Sequence, residues 1–184
     1  MNDFTYDAIV NDFLLLKKAV NHLDDSFFDF IDKSEIKKQK IIQEKKRLIQ
    51  QLKIDTAFKL LTKLEANLKP DYNNAIIQKK KDDLSEKYLS LCKRFRERIK
   101  NYDKPLKTIC KRVSLEDILD EVKSFFEVSD NAFSKNCSVL KAYFKFRHWY
   151  AHGRYFQHTP PIPDPEDIEI LCYEFQTNIF SRKK

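Results

Sequence analysis

Lys141-Ala142-Tyr143-Phe144-Lys145-Phe146-Arg147-His148-Trp149-Tyr150-Ala151-His152-Gly153-Arg154-Tyr155-Phe156 is the stretch that organises this chain. Just upstream, Phe133, Cys137, Leu140 and Phe144 recur at alternating steps of four and three, which is one apolar stripe of a helix. The same steps continue to Arg147 and Ala151, so an arginine falls where the pattern asks for a buried apolar side chain. A guanidinium keeps its proton and must meet an anion or water there. The only tryptophan, Trp149, lies in this stretch, and His148 and His152 lie on either side of it, with His158 a little further on. Gly153, the only glycine, follows His152 and is expected at a left-handed position that ends the helix.

Outward from this stretch the composition is that of an all-α protein. One glycine, six prolines and many Lys, Leu, Ile and Phe leave little material for tight turns. A chain of 184 residues is expected to fold as one domain, 1–184, with room for a core. It carries no apolar leader segment and no run long enough to cross a bilayer, so a cytoplasmic protein with no membrane contact is expected. Cys92, Cys110, Cys137 and Cys172 are too scattered for a zinc or redox pair and are expected to be reduced, buried thiols. The formal net charge is +7 and is unevenly spread. Residues 31–60 hold nine Lys/Arg against four Asp/Glu, and residues 79–112 hold thirteen against five. Such segments are either solvated helix faces or the footprint of a polyanion such as RNA.

Ile9, Phe13, Leu16, Val20 and Leu23 predict a first helix. Asp24-Asp25-Ser26 interrupts it, and Phe27, Phe28, Phe30 and Ile31 continue the apolar sequence. A long helix is expected from Ser34 to Lys69, ended by Pro70, with Asp71 capping a third that buries Leu84, Tyr88, Leu91, Phe95 and Ile99. The short break makes these two an antiparallel hairpin. Pro105 marks a second break. Ser114-Leu115-Glu116-Asp117 resembles a capping box with Asp for Glu, and Ser129 or Asp130 caps the helix that carries Arg147. Asp164-Pro165-Glu166-Asp167 starts the last helix, which turns Ile168, Leu171, Phe175 and Ile179 inward. The expected fold is a single all-α helical bundle with a long antiparallel helical hairpin.

The absence of a glycine-rich loop excludes the phosphate-cradling nucleotide folds, and no G-x-S-x-G or Cys–His nucleophile pattern is visible. Three readings of the Arg147 stretch stand. His148 and His152, four apart, could hold a metal, but a third ligand would have to be His158 or a distant cysteine. Arg147 could be structural, paired with a buried carboxylate while His152 bonds to backbone at a helix end. Or the site could cleave RNA, with arginine gripping a phosphate and histidine moving the proton of a ribose hydroxyl. On an ideal helix Arg147 and His152 stand about 140° apart, so they share a face only if the helix ends or distorts near Gly153.

Arg147-His148-Trp149-Tyr150-Ala151-His152 resembles the R-x4-6-H signature of the HEPN superfamily (higher eukaryotes and prokaryotes nucleotide-binding), with a polar residue directly after the arginine. The resemblance implies a metal-independent endoribonuclease of toxin or anti-phage type, needing no cofactor, cytoplasmic, acting on RNA as a homodimer with a shared site. It also implies a possible antitoxin or regulatory protein as partner. On that basis Arg147 holds the scissile phosphate, His152 acts on the 2′-hydroxyl or the leaving group, and His148 supports them. Arg154, Tyr150 and Tyr155 are the candidate substrate contacts. The alternative is a non-catalytic helical module that binds RNA or a protein through the basic segments.

Overall fold

A computed structural model describes residues 5–23, 35–78 (side chains from residue 39), 82–100, 104–152 and 160–182. Among them the protein is all-α, with helices α1 (Tyr6–His22), α2 (Glu35–Ile77), α3 (Asp83–Arg98), α4 (Leu106–Cys110), α5 (Leu115–Phe126), α6 (Asn131–Ala151) and α7 (Pro165–Phe175). A single π-helical turn, Gln176–Phe180, extends α7, closed by the Ser181 N–H donating to the Gln176 carbonyl at 2.9 Å. The predicted apolar continuation at Phe27, Phe28, Phe30 and Ile31 lies outside the described residues, as do Gly153, Arg154, Tyr155 and His158.

Three of the caps predicted from sequence form. Ser114 Oγ accepts from the Asp117 N–H at 3.0 Å and donates to Asp117 Oδ2 at 2.8 Å, closing a reciprocal box at the start of α5. Asp130 rather than Ser129 caps α6, accepting from the Phe133 N–H at 2.9 Å. Asp164 caps α7 ahead of Pro165. Phe133, Cys137, Leu140 and Phe144 are buried on α6, and Phe146 and Trp149 join them. All four cysteines are free and buried. Burial, more than any neighbouring group, pushes the Cys92 and Cys137 thiols up to about 12.

Helix α2 does not end where the sequence suggests. Helix α2 runs straight through Pro70 and ends at Ile77. Proline cannot supply its N–H to the carbonyl four residues back, and in a helix interior this costs roughly 3 kcal/mol. Packing on both sides of it offsets the loss. Leu68, Tyr72, Ala75 and Ile76 continue the buried stripe of Ala57, Leu60, Leu61 and Leu64, and the Tyr72 ring meets Tyr88 of α3 edge-on at 5.1 Å. Asp71, expected as a cap, instead receives Arg182 Nη2 at 2.5 Å, while Arg182 Nη1 reaches Asp82 at 2.9 Å. Asp82 is the true cap of α3, accepting from the Ser85 N–H at 3.0 Å. We expect Pro70→Ala to stabilise the fold by roughly 1–2 kcal/mol, the restored hydrogen bond being partly offset by a more flexible unfolded chain. Thermal melting checks this; a lower melting temperature would show that Pro70 sets a bend the packing needs.

Helix α1 also buries a face turned part-way from the one predicted: Phe13 is buried as expected and Ile9 partly so. Tyr6, Val10 and Phe13 point inward, whereas Leu16 is 48% exposed. The rotation follows from its first turn. The Thr5 hydroxyl accepts from Ala8, and Asn67 of α2 donates to the Tyr6 hydroxyl at 2.8 Å. The Pro105 break holds the short helix α4, which buries Ile109 and Cys110. Helix α2 packs against each of the other helices, which places its middle, from Leu61 to Lys69, beside the end of α6.

Candidate functional site

Helix α6 ends at a cavity of about 750 Å³. Its walls come from the middle of α2 (Glu65, Lys69), the start of α5 (Ser114, Leu115, Glu116) and the end of α6, with Pro160 beyond. Arg147, His148 and His152 all line it. Predicted to diverge, Arg147 and His152 therefore meet one cavity within a single chain. His152 has left helical geometry (φ −101°, ψ 23°), and its N–H donates to the His148 carbonyl at 3.1 Å as the last bond of the helix. The helical wheel explains the rest. At about 100° per residue, His148 lies at the centre of the α6 arc facing the cavity, His152 lies close to its line, and Arg147 stands at one edge. The His148 and His152 rings are 4.3 Å apart, centroid to centroid. His148, to which the resemblance assigns a supporting place, is thus the middle of the group.

Arg147 meets the anion its position demands. Its Nη2 lies 3.1 Å from Glu65 Oε2, with the arginine side chain 25% exposed and the glutamate 15%. The contact is one of charge rather than an aligned hydrogen bond, since Glu65 Oε2 has no hydrogen-bond partner among the described residues. The other Glu65 oxygen takes Lys69 Nζ at 2.8 Å. The guanidinium carbon sits 5.9 Å from the Phe58 ring centroid, which adds a cation–π contact. One carboxylate therefore serves two cations. The cavity wall as a whole holds Lys69, Lys145 and Arg147 against Glu65 and Glu116. Three cations against two carboxylates leave a surplus positive charge before either histidine is protonated. The α5 N-terminus, with its positive helix-dipole end, adds to it. Leu115, Phe144, Trp149 and Pro160 supply the apolar part of the wall.

Tyr150, a candidate substrate contact, is not at the cavity. Its ring packs 5.2 Å from Phe58 and stacks on Phe146, and its hydroxyl donates to Asp55 Oδ1 at 2.7 Å, so it ties α6 to α2. Arg154 and Tyr155, the other two, lie outside the described residues. Phe146 and Trp149 are buried within their own chain. No group of three His, Cys, Asp or Glu side chains placed to hold a metal occurs among the described residues. No helix among them is long and apolar enough to cross a membrane. Sequence reasoning missed Glu65, Lys69 and Glu116. The only signal for Glu65 is its place one residue after Leu64, at the border of the buried α2 stripe.

No model of a known protein family matches the chain, and no curated protein or solved structure does. The HEPN resemblance therefore rests on the Arg147–His152 motif and its helical setting.

Proposed function

We propose that the chain is a metal-independent endoribonuclease whose site is the cavity at the end of α6. What carries this reading is that Arg147, His148 and His152 line one cavity with a surplus of positive charge. In the proposed reaction Arg147 holds the scissile phosphate, and one imidazole takes the proton of the 2′-hydroxyl. The 2′-oxygen attacks phosphorus, the bond to the 5′-oxygen breaks, and the neighbouring imidazole protonates that oxygen. The products are a 2′,3′-cyclic phosphate and a 5′-hydroxyl. The reaction needs a ribose 2′-hydroxyl, so DNA is spared. On the resemblance alone we extend the proposal to a toxin or defence effector, cytoplasmic, acting as a homodimer and held in check by an antitoxin or regulatory protein.

The test is digestion of a mixed RNA pool in excess EDTA, with a DNA control and analysis of the new ends. We expect RNA cleavage with cyclic or 3′-phosphate termini, by protein that sediments as a dimer. Cleavage restored only by a divalent ion would overturn the mechanism, and an active monomer would overturn the dimer. One observation favours a second reading. Glu65 already answers the charge of Arg147, as a non-catalytic RNA- or protein-binding module would require. RNA bound and left intact would establish that alternative.

A further inference from the structure

Among described residues 93–100 and 104–112, eight Lys/Arg side chains are exposed against one exposed acid, Glu97. Two of the eight are used locally: Arg94 pairs with Glu121, and Arg98 Nη2 lies 3.7 Å from Asp117 Oδ2. Both acids belong to α5. Among the described residues, Lys93, Lys100, Lys104, Lys107, Lys111 and Arg112 form no ion pair. Cations gathered this way repel one another in the folded state, and a polyanion relieves that repulsion.

The patch leads to the cavity from two sides. Asp117, where Arg98 is held, is adjacent to Glu116 of the cavity wall. Arg112 is two residues before Ser114, also of the wall, and two residues span at most about 7 Å. The turn between them is fixed rather than loose. The Arg112 N–H donates to the Ile109 carbonyl at 2.9 Å, the Val113 N–H donates to Cys110 at 3.1 Å, and Val113 is buried. Lys111 and Arg112 are thus presented on a preorganised backbone at the cavity's α5 edge, with Lys107 one turn back on α4.

We propose that this basic ridge, from the end of α3 across α4 to Arg112, binds the single-stranded RNA flanking the nucleotides in the cavity. The inference rests on the cavity being the RNA site. The ridge reads charge and not base, so it governs affinity for long strands and leaves the chemistry of a minimal substrate alone.

The test joins binding and cleavage in the full chain. Binding is measured as anisotropy of a labelled single-stranded RNA carrying 2′-O-methyl ribose, which cannot be cleaved through the 2′-hydroxyl, over a series of salt concentrations. Cleavage is measured on a ribodinucleotide and on a long RNA. Lys107→Ser/Lys111→Ser/Arg112→Ser should make the plot of log affinity against log salt shallower by about 2, since each phosphate contact on a single strand contributes about 0.7. It should also raise KM for long RNA and leave dinucleotide cleavage unchanged. Lys107→Arg/Lys111→Arg should retain the wild-type slope, and Lys100→Ser/Lys104→Ser, which removes two charges, should make it shallower by about 1.4 in a variant that leaves the turn intact. An unchanged slope in both serine variants overturns the ridge while leaving the ribonuclease reading in place. A ridge-dependent slope in a protein that cleaves nothing keeps the ridge and overturns the ribonuclease. Wild-type protein that binds no RNA overturns both and leaves the patch to an acidic protein.

Discussion

Arg147→Ala and His152→Ala should each reduce RNA cleavage by about 10²–10⁴, the usual effect of losing a positioned proton-transfer or charge-stabilising group. His148→Ala should lose activity as well, because His148 lies at the centre of the α6 arc that lines the cavity and its ring is 4.3 Å from that of His152. The stability of Arg147→Ala decides between function and packing. Breaking a buried ion pair costs roughly 3–5 kcal/mol when the surviving charge has no other partner. Glu65 does have one, Lys69 at 2.8 Å, so we expect a loss of only about 1 kcal/mol. A protein that melts near the wild-type temperature and cleaves nothing supports catalysis. A large fall in melting temperature, with activity retained by the folded fraction, returns Arg147 to a structural role.

Much of this architecture is legible in the sequence where neighbouring residues settle it. The α6 stripe, the Ser114–Asp117 box and the Asp164-Pro165 start each depend on side chains within one or two turns, and the structure contains them. The misreadings arise where distant packing outweighs a local preference. Pro70 reads as a helix end because its cost is local, while the compensating contacts of Tyr72 with Tyr88 and Asp71 with Arg182 come from far along the chain. Helix α1 reads as burying Leu16 along with Phe13; Phe13 is buried, but Tyr6, anchored by Asn67, and Val10 turn inward beside it and Leu16 stays exposed. At the site, the anomaly of Arg147 is visible because an arginine interrupts an apolar run. Its partner is not. Glu65 lies 82 residues earlier on a helix with many charged positions, and no short spacing distinguishes it. An ideal helix wheel sets Arg147 and His152 apart, but it says nothing about a cavity broad enough to be lined by both.

Glu65→Gln should lower cleavage by roughly ten- to thirtyfold, and the companion change Lys69→Met separates the reasons. In the native arrangement Lys69 lies closer to the carboxylate than Arg147 does, 2.8 Å against 3.1 Å, and each cation uses a different oxygen. Lys69 thus shares the negative charge of Glu65, while Glu65 still holds one corner of the guanidinium. That combination fixes Arg147 in place and leaves its positive charge available for a phosphate. Glu65→Gln keeps the shape and removes the holding charge. A charge-assisted contact of this kind contributes about 1.5–2 kcal/mol to position, and each 1.36 kcal/mol is a factor of ten in rate. The loss should fall mainly on kcat, because the arginine still binds phosphate but is no longer aligned for the transition state. Lys69→Met does the reverse. Glu65 then turns wholly to Arg147 and neutralises it, so KM for RNA should rise and the salt dependence of binding should weaken. Steady-state kinetics on the two variants tests the arrangement. If Glu65→Gln instead cleaves faster than wild type, Glu65 is a competitor that masks Arg147 from RNA, and entry of the phosphate must begin by displacing it.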